Sequence, residues 1–164
     1  MRANRLKKYI PVILIILFIT LCFNLCSEDI EHNLKFESEG TFLFLPTADH
    51  DTLVVNIEFA ETDSEMMQGL MYRDKMDWMQ GMLFVYKDVR PMSFWMKNTH
   101  LPLDLIFVSE EGVVLDFYEY ATPFSEESIF SEYLSKFALE VNAGFCEENL
   151  ITIGDSIKWE KFLK

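Results

Sequence analysis

The sequence predicts a mainly β (α+β) protein: a compact single-domain β-barrel or sandwich with one short helix, behind an N-terminal hydrophobic export or anchor segment. Three observations predict it. Short runs rich in Val, Ile, Phe and Tyr recur between Gly, Pro, Asn and Asp breaks. A single stretch, beginning at Thr62, carries clear helix punctuation. The first 26 residues follow the plan of an export signal.

Arg2, Arg5, Lys7 and Lys8 form a basic start, and Ile10 to Leu25 is nearly all apolar and uncharged. Positive charge before an apolar run holds the start of the chain on the cytoplasmic side. No Ala-x-Ala site follows, and the run is at the short end for a spanning helix. Cys26 before Ser27 suggests lipidation, although Asn24 and Leu25 are larger than the residues such a site prefers. Residues 1–26 are therefore expected to be a signal peptide, a lipoprotein signal or a signal anchor. The expected place is the cell envelope, with the domain outside the cytoplasm and tethered through lipid on Cys26 or through an uncleaved anchor.

Residues 27–50 read as a polar tether with a possible first strand. Glu28, Asp29, Glu31, Glu37 and Glu39 make it acidic, and Thr41 to Leu45 is either a strand or a hydrophobic flap that Pro46 ends. Residues 51–164 read as the domain proper. Leu53 to Ala60 alternates as a strand, with Val55, Ile57 and Phe59 on one face and Asn56 and Glu58 on the other. Thr62 and Glu65 fit a capping box. Met66, Met67, Leu70 and Met71 then supply an apolar helix face expected to pack in the core.

Asp74 to Gln80 reads as a turn, with Trp78 over it. Strands follow at Met82–Tyr86, Met92–Lys97 and Leu103–Val108. Ser109 to Gly112 suits a hairpin leading into Val113–Tyr120. Pro123 to Ser131 is an acidic loop. Lys136–Val141 is a strand, Cys146 to Leu150 one helical turn, and Ser156–Trp159 the last strand. Many short strands with one good helix imply a small barrel or sandwich.

Charge and cysteine content bound the function. Four of the 14 basic residues sit in the leader, so the part beyond Cys26 sets ten basic residues against all 27 acidic ones, a formal charge of −17. Such a surface repels phosphates, which argues against nucleic acid as a partner. The membrane is an expected partner through the N-terminal segment alone. Cys146 is the single cysteine beyond the leader, so stability must come from packing, and a buried bystander thiol is expected there. His32, His50 and His100 are scattered, and no metal or cofactor pattern stands out.

The informative stretch runs from Ser93 to Phe107. It is apolar at both ends, with Lys97, Asn98, Thr99, His100 and Asp104 between. Strand alternation puts Trp95 and Lys97 on one side and Phe94, Met96 and Asn98 on the other. A lysine or aspartate emerging between covered strands must pair or shift its pKa. Lys97 is therefore expected to meet Asp104 or Glu140, with Asn98 and Thr99 bonding the corner's backbone. One outcome is a polar knot that fixes the fold. The other is a concave site in which Arg73, Trp95, Lys97, Asn98, Thr99, Asp104 and Glu140 hold a small polar ligand, a sugar or a carboxylate, with Trp95 or Trp78 as a flat wall.

Gly69 to Met71 with Arg73, Gly81 to Phe84, Phe94 to Thr99, Pro102 to Asp104, Gly112, Leu139-Glu140 and Gly154-Asp155 occur in this order. Together they resemble the DUF192 family of bacteria and archaea, over about residues 52 to 160. The resemblance implies a compact β-rich fold with a short helix, often behind an export signal, and brings no biochemical activity. His100 departs from it, because relatives usually carry an aliphatic residue there. The expectation is a non-catalytic, envelope-associated binding or structural module. The alternative is a small hydrolase or lyase using Lys97, Asp104 and Glu140.

Overall fold

The computed structural model describes residues 36–45 and 51–162. The expected signal, the possible lipid site at Cys26 and the tether up to Lys35 lie outside the described residues.

The described chain is mainly β. A seven-stranded sheet runs in the order β6-β5-β8-β3-β2-β1-β9, and a two-stranded sheet pairs β4 with β7. The strands are β1 (Gly40–Leu45), β2 (Leu53–Ala60), β3 (Gln80–Arg90), β4 (Ser93–Phe94), β5 (Leu103–Val108), β6 (Val114–Ala121), β7 (Ile129–Phe130), β8 (Ser135–Asn142) and β9 (Ser156–Lys161). Two short helices, α1 (Asp63–Gln68) and α2 (Phe145–Glu148), complete it. Thr41 to Leu45 is thus a strand rather than a flap, paired on both sides by β2 and β9. Part of the expected tether is also fixed: the Glu39 amide donates to the Ile57 carbonyl, and the Phe59 amide donates to the Glu39 carboxylate.

The large sheet curls into a half-barrel. Its two edge strands meet at one corner, where Val113 and Ser156 form a bridge. There the Val114 amide donates to the Asp155 carbonyl at 2.9 Å and the Ile157 amide to the Gly112 carbonyl at 2.7 Å. Gly112 permits this approach, because its φ is +80° and a Cβ there would lie 2.7 Å from the Ile157 oxygen. The expected turn at Gly112 therefore also pins the sheet's ends.

Both faces of the sheet are covered. The concave face buries Phe42, Ile57, Leu83, Ile106, Leu139 and Phe145. The convex face buries Met82, Phe84, Leu103, Leu105 and Phe107 beneath Met92 and Met96. β5 is buried at all six positions, as its unbroken apolar run predicts. The segment expected as a third long strand, Met92 to Lys97, pairs only at Ser93–Phe94 and lies across the convex face as a cover. The helix is shorter than its apolar spacing predicts. The Thr62–Glu65 capping box forms, but the helix stops at Gly69, whose φ is +48°. Leu70 is buried as expected, whereas Met67 is 74% exposed.

Asp104 shows how this sheet treats a buried charge. β6 carries an extra residue opposite β5, between the pairs Leu103↔Ala121 and Leu105↔Tyr118. This bulge places Tyr120 at φ +55°. One Asp104 oxygen accepts the Tyr120 amide at 2.9 Å, and the other accepts the Cys146 amide at 3.0 Å at the start of α2. Asp104 is wholly buried, and its carboxylate ties the bulge to the helix. Removing it strands the buried Cys146 amide and the part-buried Tyr120 amide. Asp104→Ala is expected to lower unfolding free energy by about 3 kcal/mol, while Lys97→Ala changes it by less than about 1 kcal/mol. Denaturant titration of both variants measures this, and equal losses would reverse the assignment.

Candidate functional site

The pair Lys97–Asp104 does not form. Asp104 faces the concave side, among Ile106 and Val108, where its oxygens are taken by backbone amides. Lys97 has left the strand, its side chain is 42% exposed, and its Nζ stands 3.9 Å from Glu126 and 5.2 Å from the Trp95 ring centre. The reason is the corner itself. Asn98 adopts φ +55°, which turns the chain off the sheet before Asp104 enters it. Lys97, Asp104 and Glu140, the three groups of the hydrolase or lyase reading, do not meet at one place.

Other expected residues do gather, on the convex face. The strand registers set Glu58 opposite Met82, Met82 opposite Glu140, and Glu140 opposite Leu105. Partners across a sheet share a face, so Glu58 and Glu140 emerge two strands apart, about 9–10 Å at the usual spacing. Both are buried, as is Arg73, which arrives from the turn after α1. Its Nη2 lies 2.5 Å from Glu58 Oε2, and the Glu37 amide donates to Glu58 Oε1 at 2.6 Å. Glu58 is thus held at both oxygens, by an amide at Oε1 and at Oε2 by an ion pair without a hydrogen bond.

Glu140 is not. Its Oε2 is buried and meets no hydrogen-bond partner among the described residues. Burial pushes its carboxyl up to about 8, and the charge of Arg73 pulls only partly the other way. The neighbouring Tyr86 on β3 is raised as well, by burial first and with Glu140 contributing. Arg73 Nη1 is likewise buried and unpartnered.

Above Glu140 lies a notch of about 30 Å³, lined by Gly69, Thr99, Phe94, Trp95, Met66 and Met67. It shares its two methionines, Phe94 and Trp95 with an open groove of about 450 Å³ between α1 and the β3–β4 turn, further walled by Tyr86 and Arg90. The glycine makes the notch possible, because a Cβ at Gly69 would stand 3.8 Å from Glu140 Oε2 and 3.3 Å from the Phe84 ring. The walls are locked to each other. The Tyr72 amide donates to the Asn98 carbonyl at 2.9 Å, and Asn98 Nδ2 donates to Tyr72 Oη at 2.8 Å. Both residues hold positive φ, +64° and +55°, an unfavourable conformation that this mutual contact supports.

The structure therefore brings Trp95, Thr99 and Glu140 around one notch, keeps Arg73 buried on Glu58, puts Asn98 in the frame and Lys97 beside Trp95, and leaves Asp104 beneath the sheet. Trp78 packs on Phe145, 5.8 Å away, on the other side. His100 sits outside the cleft, bonded to Asp74 at 2.7 Å and against the Phe124 ring. Cys146 is buried, and burial pushes its thiol up, which suits a bystander. Among the described residues no cluster of three or more His, Cys, Asp or Glu is placed to hold a metal.

Glu58, Gly69 and Met67 were named in the sequence, but not as residues of a site. Glu58 alternates to the polar side of β2, which reads as solvent, and nothing local announces that Arg73 covers it. The alternation of Ala138 and Glu140 against Leu139 is the usable signal: an acid at a strand position flanked by buried neighbours.

A pH dependence follows. In the unfolded chain the Glu140 carboxyl titrates near its ordinary 4.5, and in the fold near 8. Between those values the folded state keeps a proton that the unfolded state has lost, so stability falls as pH rises through this window. Glu140→Gln removes the dependence and is expected to be more stable than the parent by about 2 kcal/mol at pH 8, and equal to it near pH 4. Thermal unfolding across that range measures both, and parallel curves for the two proteins would refute the shift.

With fold and cleft in place, comparison with known proteins adds kinship. No curated protein matches the chain. A crystallised protein from Sinorhizobium meliloti 1021, named only provisionally as a transcription regulator, is 36% identical, with 76% of this chain and 97% of that one aligned at a TM-score of 0.71. A protein of unknown function from Novosphingobium aromaticivorans DSM 12444 is 29% identical, with 73% and 84% aligned at a TM-score of 0.69. Residues 45–159 match DUF192, described as an uncharacterized ACR, so the chain belongs to the DUF192 family.

Proposed function

We propose that the domain is a non-catalytic binding module, whose cleft between α1 and the β3–β4 turn receives the polar end of a small ligand. One observation carries this reading: a carboxylate oxygen of Glu140, buried and without a hydrogen-bond partner among the described residues, faces a notch that opens onto a groove. A buried acceptor left unsatisfied costs about 1–3 kcal/mol, and a ligand donor recovers it. Trp95, 45% exposed beside the notch, supplies a flat wall for the ligand's apolar part.

The enzyme reading has less support. Glu140 with a raised pKa suits a general acid, but its intended partners stand elsewhere, with Asp104 under the sheet and Lys97 in solvent. A nucleic-acid role, which the wording attached to the Sinorhizobium protein invites, is set against by the acidity of this chain, net −13. The basic and apolar first 26 residues support an envelope protein held at the membrane.

Monosaccharides, small carboxylates and small amines titrated into the labelled domain test the binding reading. Saturable shifts at the Trp95 indole and the Gly69 amide, lost in Trp95→Ala, are expected, with no ligand consumed. Silence at those signals across the panel, or turnover of any compound, defeats it. Radiolabelled palmitate tests the anchoring: incorporation that disappears in Cys26→Ser indicates a lipoprotein, and an unlabelled protein that stays in the membrane fraction indicates a signal anchor.

A further inference from the structure

The notch at Glu140 has a chemistry more specific than polar. Arg73 is held by Glu58 at 2.5 Å, so its charge compensates Glu140 only in part. Glu140 is left as the acid of the cleft with an oxygen to offer. Once it ionises, a ligand carboxylate would bring a second negative charge against it. A sugar ring is too large for about 30 Å³, room for only a few water-sized groups. The fitting head is a small group that donates hydrogen bonds and brings positive charge. Thr99 lines the same notch and adds an acceptor, since its hydroxyl makes only a long 3.4 Å bond to the Lys97 carbonyl.

The mouth has a matching chemistry. Met66, Met67, Phe94 and Trp95 form an apolar collar through which an unbranched stem can pass. The Trp95 ring already carries the Lys97 ammonium 5.2 Å from its centre, a contact in which this ring attracts a cation. Beyond the collar, the groove sets Glu61, Asp63 and Asp88 against Lys87 and Arg90.

We propose that this notch is a receptor for a primary alkylammonium group, held by Glu140 and Thr99 at its base with the aliphatic stem in the methionine and aromatic collar. The inference rests on the binding reading above and names its ligand class. When the ammonium enters, the Glu140 carboxyl gives its proton to solvent and the two charges pair. Arg73 and Tyr86 are the other titratable groups that Glu140 senses, and Glu58 reaches it only through Arg73.

Three probes with one four-carbon stem separate the possibilities: n-butylammonium, n-butanol and butyrate, titrated at about pH 8, where the carboxyl ionises readily. The signals are the Gly69 and Thr99 amides and the Trp95 indole in nitrogen-15 spectra. Butylammonium is expected to give saturable shifts and butyrate none. Glu140→Gln is expected to weaken butylammonium at least about tenfold, the loss of one charge-assisted hydrogen bond. Trp95→Ala and Thr99→Val are each expected to weaken it about threefold, and they decide the matter should Glu140→Gln misfold. Butanol binding as tightly as butylammonium, or butylammonium indifferent to all three substitutions, overturns the ammonium receptor while leaving the cleft a binding site. If none of these probes and no member of the wider panel moves the signals, both readings fall together.

Discussion

Everything in this fold follows from one sheet being covered on both faces. A strand with two dry sides has no place for a charge unless the protein supplies its partners. The central strands nevertheless carry three carboxylates, Glu58, Asp104 and Glu140, all buried. How each is satisfied separates architecture from site. Asp104 receives two backbone amides, and Glu58 a guanidinium and an amide. Both are held at each oxygen, Glu58 Oε2 by its ion pair alone. Glu140 has an oxygen left over, and the notch against it leads outward. The same chemical group in the same sheet thus does two kinds of work, decided by which donors the chain brings to it.

The frame around Glu140 is built to keep that vacancy in hydrogen bonding open. Gly69 ends α1 early and withholds a side chain where a Cβ would crowd Phe84. Met67, pushed out of the core by that early stop, becomes a wall of the cleft instead. Tyr72 and Asn98 hold unfavourable backbone angles against each other, and strain of that sort persists only where surrounding contacts impose it. A sequence seeking stability alone would extend the helix by a turn and relax both residues.

What the sequence disclosed, and what it hid, divides by range. The capping box at Thr62 and Glu65, the turn at Gly112 and the buried run of β5 are written in neighbouring residues, and all appear in the structure. Trp95, Thr99 and Glu140, named together from strand alternation as candidate ligand residues, line one notch, while Arg73 stands outside it on Glu58. The mistaken pair, Lys97 with Asp104, came from treating Met92 to Lys97 as a full strand, so that alternation carried through the corner. In fact pairing ends at Phe94, and Asp104 keeps the face that β5 alternation gives it, where a bulge on β6 supplies one of its donors. Glu58 was unreadable for a related reason. Its partner lies 15 residues on in sequence, beyond a helix, and only the parallel pairing of β2 with β3 brings the two together.

The charge of the cleft then depends on a contest for Arg73. Two buried carboxylates flank one guanidinium, and the side it chooses determines which of them is the less compensated. Glu58 prevails because the chain adds to its hold: the Glu37 amide reaches Glu58 Oε1 at 2.6 Å, while Glu39 is bonded to the far end of β2. That added donor fixes the Glu58 carboxylate in place and so helps it retain Arg73. Without that arm, Glu58 and Glu140 would share the guanidinium on more equal terms, and the acid at the base of the cleft would lose much of its appetite for a cation. The four residues leading into β1, which the sequence presents as the end of a tether, therefore act on the site from behind, by fixing where its neutralising charge resides.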